Sequence, residues 1–174
     1  MQPPYTNLSE ILAHLLSDAA LLKQFIANQK STVNRLCASK KLADDVLSLQ
    51  IDQLQQQANL LRRKRMAEVH RIIPKTATLL NFRFTKYFLQ YVETYWPQGH
   101  NKHEWDSYQF CKYLMAIDKQ YVDSYEYHQL EILLELNTLR IGLCRHSDST
   151  RQAIILYLML KWPGKQYHEF RLTI

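Results

Sequence analysis

The hydrophobic pattern of this chain changes its period near Asn137. Before that residue, apolar side chains recur every three or four positions, as one face of an α-helix requires. After it, apolar residues occupy alternate positions in "LRIGLCR" and "HEFRLTI", and "AIILYLMLKW" between them is a strand-length apolar run. The pattern predicts an α+β fold, with a mainly helical bundle at residues 1–137 and a small antiparallel three-stranded β-sheet region at 138–174.

Turn and capping residues set the expected element boundaries. In "WPGK", Pro and Gly occupy the central turn positions and predict a hairpin between the last two strands, and "HSDST" closes the preceding turn. Thr6 or Asn7 is expected to cap the first helix, and Ser17 with Asp18 the second. A long helix is predicted from Gln50 to about Ile73, and Pro74 is expected either to end the helix or to start a new one.

Three further helices are expected before the strands. The first is a second long helix through "LLNFRFTKYFLQYVETYW", and the others lie in "KHEWDSYQFCKYLMAI" and "VDSYEYHQLEILLELNTL". Phe110, Leu114 and Ile117 should face inward from the second of these.

The composition excludes several functional classes. With only three glycines in 174 residues, no glycine-rich phosphate loop or dinucleotide motif is present. The three cysteines, Cys37, Cys111 and Cys144, are too far apart for a CxxC metal knuckle. The N-terminal segment lacks signal-peptide character, and the longest apolar run is too short to cross a bilayer. We expect a soluble protein of the reducing cytoplasm.

Charge is unevenly distributed along the chain. The net charge is +6, and residues 1–60, 61–102, 103–137 and 138–174 carry net charges of 0, +7, −5 and +4. Two basic segments therefore flank an acidic one, which favours internal pairing over a uniformly basic surface.

Four consecutive cations, Arg62 to Arg65, are the most conspicuous polar feature. Successive helical residues point about 100° apart, so the four cannot all face one phosphate backbone. Arg65 lies four residues from both Leu61 and Val69, on the apolar stripe, and a buried arginine needs an acidic or carbonyl partner. Glu131 is the expected mate, with Arg63 and Lys64 pointing outward. The rival interpretation is a nucleic-acid-binding transcriptional regulator.

Metal and nucleophile chemistry have weak support. "GHNKHEWD" contains His100, His103, Glu104 and Asp106, but it reads as a polar loop in which Asp106 caps the next helix. None of the cysteines has a neighbouring base or a glycine elbow, so buried or inert thiols are the simplest interpretation.

Aromatic side chains exceed what one bundle can bury, so some are expected to face a partner. They are Phe82, Phe84, Tyr87, Phe88, Tyr91, Tyr95 and Trp96, followed by Tyr121, Tyr125 and Tyr127. The predicted sheet has an apolar face able to pack on the helices, and its edge strands have unpaired backbone groups that could bind an extended peptide. Sheet edges that bind nothing remain the open alternative.

The order of these segments resembles a known family. The carrying residues are "LLSDAALLKQFIANQ", "LSLQIDQLQQQANLLRRKRMAEVHRIIPKTATLL" and "WDSYQFCKYL". They are similar to a helical domain, once labelled DNA-binding, of the partner proteins of multinuclear non-haem iron oxidative enzymes. The resemblance covers roughly residues 6 to 136, and within the family it is nearest to the partner subunits of methanobactin biosynthesis.

The resemblance implies a non-catalytic subunit that holds no cofactor of its own. Its partner is a TIM-barrel oxidase that carries the iron and, with dioxygen, oxidises cysteines of a ribosomally made precursor peptide to oxazolone and thioamide groups. The accessory subunit forms a heterodimer with this enzyme and helps bind the peptide's leader. The residues expected to contact the enzyme or the peptide are Arg62, Arg63, Arg65, Trp162, Tyr167, Phe170, Leu172 and Ile174.

Overall fold

The computed structural model describes residues 5–148, 151–161 and 166–173. Helices come first, and a three-stranded antiparallel sheet follows, as the change of period predicts. The expected "WPGK" hairpin turn, and with it Trp162, lies outside the described residues, as does Ile174.

Four short helices open the chain: α1 (Leu8–Ser17), α2 (Ala19–Ala27), α3 (Gln29–Leu36) and α4 (Lys40–Leu47). The side chains of Asn7 and Asp18 accept hydrogen bonds from Glu10 N and Leu21 N, so Asn7 rather than Thr6 caps α1, and Asp18 rather than Ser17 caps α2. Buried apolar residues from α1 to α4 and from the start of the next helix form one core cluster: Ile11, Leu15, Leu21, Leu22, Phe25, Val33, Leu36, Leu42, Val46, Leu54 and Ala58.

The long helix α5 spans Ile51–Ile72, close to its predicted bounds. Pro74 is the first residue of the next helix, α6 (Pro74–Leu80). The prediction of a second long helix is wrong, because the segment is divided between α6 and α7 (Arg83–Tyr91). The break lies at Asn81, which has a positive φ of 51°. Asparagine tolerates positive φ better than most residues, so the break needs neither Gly nor Pro.

Helix α8 (Lys102–Ile117) has its predicted bounds, and a 3-10 turn (Lys119–Tyr121) leads to α9 (Ser124–Leu133). Phe110 and Leu114 are fully buried, but Ile117 is 46% exposed, so its inward placement is wrong. Ile117 is the last residue of α8, and the chain turns away from the core at this point.

Strands β1 (Leu139–Asp148), β2 (Arg151–Lys161) and β3 (Tyr167–Thr173) form an antiparallel sheet in the order β1-β2-β3. Ile141 lies opposite Leu158, and Leu158 lies opposite Phe170. Directly paired residues project from the same side of a sheet, so the register assigns every strand residue to one of two faces.

The chain forms two compact units. One contains residues 1–66 and 89–96, and the other contains residues 67–88 and 97–174, including α8, α9 and the sheet. Among the described helices, none is long and apolar enough to cross a membrane.

Candidate functional site

One face of the sheet, which we call the inner face, packs against α9. Tyr157 and Met159 of β2 are fully buried, and they form a core cluster with Tyr125 and Ile132 of α9. The rings of Tyr125 and Tyr157 meet edge to face at 5.0 Å between centroids, a favourable aromatic geometry. The Tyr157 hydroxyl is 2.8 Å from Nδ1 of His128, so the polar end of the buried ring is also satisfied.

Gly142 of β1 permits this packing. It lies directly opposite Tyr157, and a Cβ at this position would overlap the tyrosine ring and hydroxyl. An isolated glycine inside a strand pattern signals a close approach of this kind. It is the sequence signal from which the orientation of the sheet could have been found.

Strand β3 is anchored to α9 by polar side chains. Arg171 donates from Nη2 to the Tyr125 hydroxyl at 2.7 Å, and Tyr125 donates in turn to Glu169 Oε2 at 3.0 Å. Arg171 Nε is also 2.7 Å from Glu169 Oε1. At the other end of the strand, Gln129 Nε2 donates to the Tyr167 hydroxyl at 3.1 Å. Both ends of β3 are therefore fixed on the helix.

The same network shifts the ionisation of its members. Burial, followed by the hydrogen bond to Glu169, raises the pKa of Tyr125 to about 12. Burial acts against the charged form of Glu169, but hydrogen bonds from Arg171 and Tyr125 outweigh it and lower the pKa of that carboxyl. At neutral pH the network therefore pairs a carboxylate with a guanidinium through a neutral phenol.

Strand β1 is held by an ion pair to α9. Arg140 Nε is 2.7 Å from Oε2 of Glu131, whose side chain is only 7% exposed. Glu131 is the acid expected to pair with Arg65, and its partner is Arg140 instead. The alternation of the strand turns Arg140 towards α9, nine residues beyond Glu131, so the acid finds its cation locally.

The opposite face of the sheet, which we call the outer face, is apolar and exposed. Six of its side chains are 48–62% exposed, whereas Leu156, Leu158 and Leu160 on the central strand are half-buried. The register arranges them in rows across the three strands: Leu143, Leu156 and Leu172; Ile141, Leu158 and Phe170; Leu139, Leu160 and His168. Ile154 extends the face along β2.

The face that packs on the helix is thus the more polar one. The inner rows contain Arg140, Glu169 and Arg171, whereas every outer residue named above except His168 is apolar. The alternation of Leu139, Ile141 and Leu143 was expected to mark a face able to pack on the helices. Instead the rings and ion pairs of α9 complement the polar rows, and the apolar rows project away.

Both edges of the sheet lack a strand partner within the described residues. In the order β1-β2-β3, the central strand pairs on both sides, and β1 and β3 each pair on one side. An edge strand presents a row of backbone N–H and C=O groups to which an extended chain can bind. The edge predicted at the C-terminus is therefore present twice, on β1 and on β3.

The predicted contact residues of the sheet divide between its two faces. Phe170 and Leu172 lie together on the outer face, 60% and 62% exposed. Tyr167 lies on the inner side, half-buried and bound to Gln129. Sequence reasoning missed the exposed residues of β1, Leu139, Ile141 and Leu143, although the same alternation contained them.

The basic run belongs to the other compact unit. Arg65 is only 6% exposed; its Nη2 donates to the Tyr95 carbonyl at 3.2 Å and its guanidinium lies 4.7 Å from the Trp96 ring centroid. Arg63 and Lys64 are exposed, and Arg62 is half-buried, with Nη1 3.3 Å from Asn59 Oδ1. The predicted split of this run into a buried arginine and outward cations is confirmed.

The metal and thiol candidates are dispersed. Across residues 5–148, 151–161 and 166–173, no group of three or more His, Cys, Asp or Glu could hold a metal ion. Asp106 is buried inside α8 and does not cap it, because Asn101 occupies the N-cap position. Burial raises the pKa of the Cys111 thiol, with smaller contributions from Glu126 and Asp123.

The aromatic excess is partly buried. Phe84, Phe88, Tyr91 and Tyr125 are core residues, whereas Phe82 is 83% exposed in the turn between α6 and α7. The other predicted aromatics, Tyr87, Tyr95, Trp96, Tyr121 and Tyr127, are half-buried.

No family model, curated protein or solved structure matches this chain.

Proposed function

We propose that this chain is a non-catalytic partner subunit of an iron- and O2-dependent peptide-modifying oxidase, of the MbnC type that serves methanobactin biosynthesis. In this role it forms a heterodimer with the TIM-barrel enzyme in the cytoplasm and helps bind the leader of a ribosomally made precursor. The enzyme holds the iron and oxidises the precursor's cysteines to oxazolone and thioamide groups. The resemblance of residues 6–136 supplies the reaction and the partners.

The observation that carries the binding role is the edge of β3. Within the described residues, β3 has no strand partner on the edge away from β2, and Phe170 and Leu172 project from the outer face beside that edge. A peptide that adds as a fourth strand gains backbone hydrogen bonds along β3, and alternate side chains of the peptide contact the two apolar residues.

The anchoring of β3 favours such binding. The hydrogen bonds of Tyr125 and Gln129 to β3 hold the strand in place before a peptide arrives. A preorganised strand loses less conformational freedom on binding than a loose one, which leaves more of the contact energy for affinity.

The test uses the chain co-expressed with the iron-oxidase-like protein and the short cysteine-bearing precursor encoded beside it. We expect the chain to co-purify with the enzyme, and the precursor's cysteines to be modified only when both proteins are present. A chain that neither binds the enzyme nor alters its activity on the precursor would contradict the proposal. So would sequence-selective DNA binding that survives moderate salt, since non-specific contacts weaken steeply with salt.

The site is tested with paired alanine variants. Removing Phe170 or Leu172 should weaken leader binding about 5- to 30-fold each, the loss that corresponds to about 1–2 kcal/mol of apolar contact. Ile141→Ala is the matched control, since Ile141 has the same exposure, 60%, but lies on β1. Loss of binding in the control alone would assign the leader to the β1 edge.

A further inference from the structure

We propose that a second copy of this chain covers the outer face of the sheet. Such a dimer would join the two sheets face to face in a six-stranded β-sandwich, with a two-fold axis that passes between the two central strands. The dimer shares Phe170 and Leu172 with the proposed peptide site, so a second copy and a bound leader would compete for these two side chains. Ile141 and Leu143 of β1 belong to the dimer contact alone, and variants at these positions distinguish the two proposals.

The exposed apolar area of the outer face is large enough for a dimer. The six outer side chains that are 48–62% exposed present on the order of 600 Å² of apolar surface, at the upper end of the largest patch on a typical monomer. Two such faces together bury on the order of 1,200 Å², which reaches the size class of stable interfaces. The face therefore has the area that a dimer requires from this chain alone.

The outer face is also compatible with a second copy of itself. A two-fold contact brings the same surface of both subunits together, so any charge on that surface faces its own copy or a near neighbour of it. The register places two ionisable residues on the outer face, His168 at one end and Arg145, opposite Ile154, towards the other, and the rows between them contain no acid, lysine or arginine. No like-charge repulsion opposes the contact at its centre.

Apolar side chains flank the central strand of the outer face on both sides. Ile141 on β1 and Phe170 on β3 flank Leu158, and Leu143 and Leu172 flank Leu156 in the next row. A two-fold axis over β2 therefore places aliphatic or aromatic side chains on one another whichever way the partner sheet is turned. Aligned packing of two apolar faces about 10 Å apart is the ordinary geometry of β-sandwiches.

The charges of the sheet favour a protein partner over a lipid surface. Adsorption to an anionic membrane needs basic side chains beside the apolar surface. Arg145, opposite Ile154, is the one arginine that the register places on the outer face of the described strands, and one cation is fewer than the basic clusters that bind anionic lipid. Arg140, Lys161 and Arg171 form ion pairs with Glu131, Glu135 and Glu169. Arg140 and Arg171 lie in the inner rows, opposite Met159 and Tyr157.

Sedimentation velocity of the isolated chain, from about 1 to 100 μM, tests the inference. We expect a concentration-dependent monomer–dimer equilibrium. Ile141→Lys places a buried charge on each side of the dyad and should raise the dissociation constant at least about 100-fold, because each unpaired charge must be desolvated. Leu79→Lys is the matched control: Leu79 is 51% exposed on α6, so the variant carries the same added charge, and it should dimerise as the unmodified chain does.

Three results would overturn the inference. The unmodified chain could stay monomeric throughout the range, Ile141→Lys could dimerise normally, or Leu79→Lys could dissociate as fully as Ile141→Lys. Leu143→Lys, on the neighbouring row, serves in place of Ile141→Lys if circular dichroism shows that the first variant is unfolded. If the unmodified chain is monomeric on its own and the Ile141→Lys variant no longer co-purifies with the oxidase, the outer face belongs to the interface with the enzyme instead.

Discussion

The inner and outer faces of the sheet are built from alternate residues of the same three strands, yet they meet opposite environments. The inner face is buried although it contains two arginines and a glutamate, because α9 supplies Glu131, Tyr125 and Gln129 as partners. The outer face is exposed although it is almost wholly apolar. A face of this sheet is buried where α9 supplies complementary side chains, whatever its own polarity. We therefore expect a partner on the outer face, which α9 does not cover.

The largest expected effect is on the inner face, at Tyr157. Tyr157→Ala removes a fully buried ring, and loss of a large core side chain costs about 3–5 kcal/mol of unfolding free energy. Urea denaturation of the dilute chain measures the loss. Leu158→Ala is the control, because Leu158 is the next residue on β2 and projects from the outer face. Equal losses for the two variants would remove the distinction between the faces.

A smaller effect is expected from the ion pair that joins β1 to α9. Arg140→Met leaves the carboxylate of Glu131 buried without its cation, which should cost about 1–3 kcal/mol, since Arg140 itself is partly exposed. The double variant with Glu131→Gln should recover part of the loss, because the remaining group is neutral. Denaturation of the two variants at one pH provides the comparison, and a double variant no more stable than the single would contradict it.

Part of the loss of folding stability at low pH should come from protonation of Glu169. Its pKa is lower in the folded chain than the usual value of 4.5, so its contribution is present above that pH and is lost as the pH falls through the folded-state value. Glu169→Gln should therefore reduce stability at pH 7 and flatten its decline in acid. The difference should be below about 1 kcal/mol, as for other solvent-screened pairs. Thermal unfolding between pH 7 and 3 measures it, and parallel curves would refute the role.

The smallest effect on folding is expected on the outer face. Leu172→Asn, at a residue that is 62% exposed, should change the unfolding free energy of the dissociated chain by no more than about 0.5 kcal/mol. Urea denaturation at the lowest measurable concentration isolates this quantity. A loss comparable to that of Tyr157→Ala would mean that the outer face belongs to the core of the single chain.

The sequence predicted the elements better than it predicted their contacts. The periods of three to four and of two located α8, α9 and all three strands, and the spacing around Arg65 predicted its burial. The break at Asn81 was not predictable, because it depends on one positive φ in a segment without Gly or Pro.

The orientation of the sheet was also beyond the pattern. Alternation shows which residues share a face, but it does not show which face is covered. The covered face depends on which side chains α9 presents to the sheet. Tyr157 and Met159 could not be assigned to a face because they lie in a continuous apolar run, which has no polar alternation. Gly142 was the one local signal, because its missing side chain makes room for Tyr157.

The most direct test of the difference between the faces is the thermal midpoint of the unmodified chain as a function of its concentration. If a second copy covers the outer face, folding is linked to association, and the midpoint should rise steadily as the concentration increases about 100-fold. Ile141→Lys should abolish that rise, and Leu79→Lys should preserve it. A midpoint that stays constant for the unmodified chain would contradict the account of the outer face.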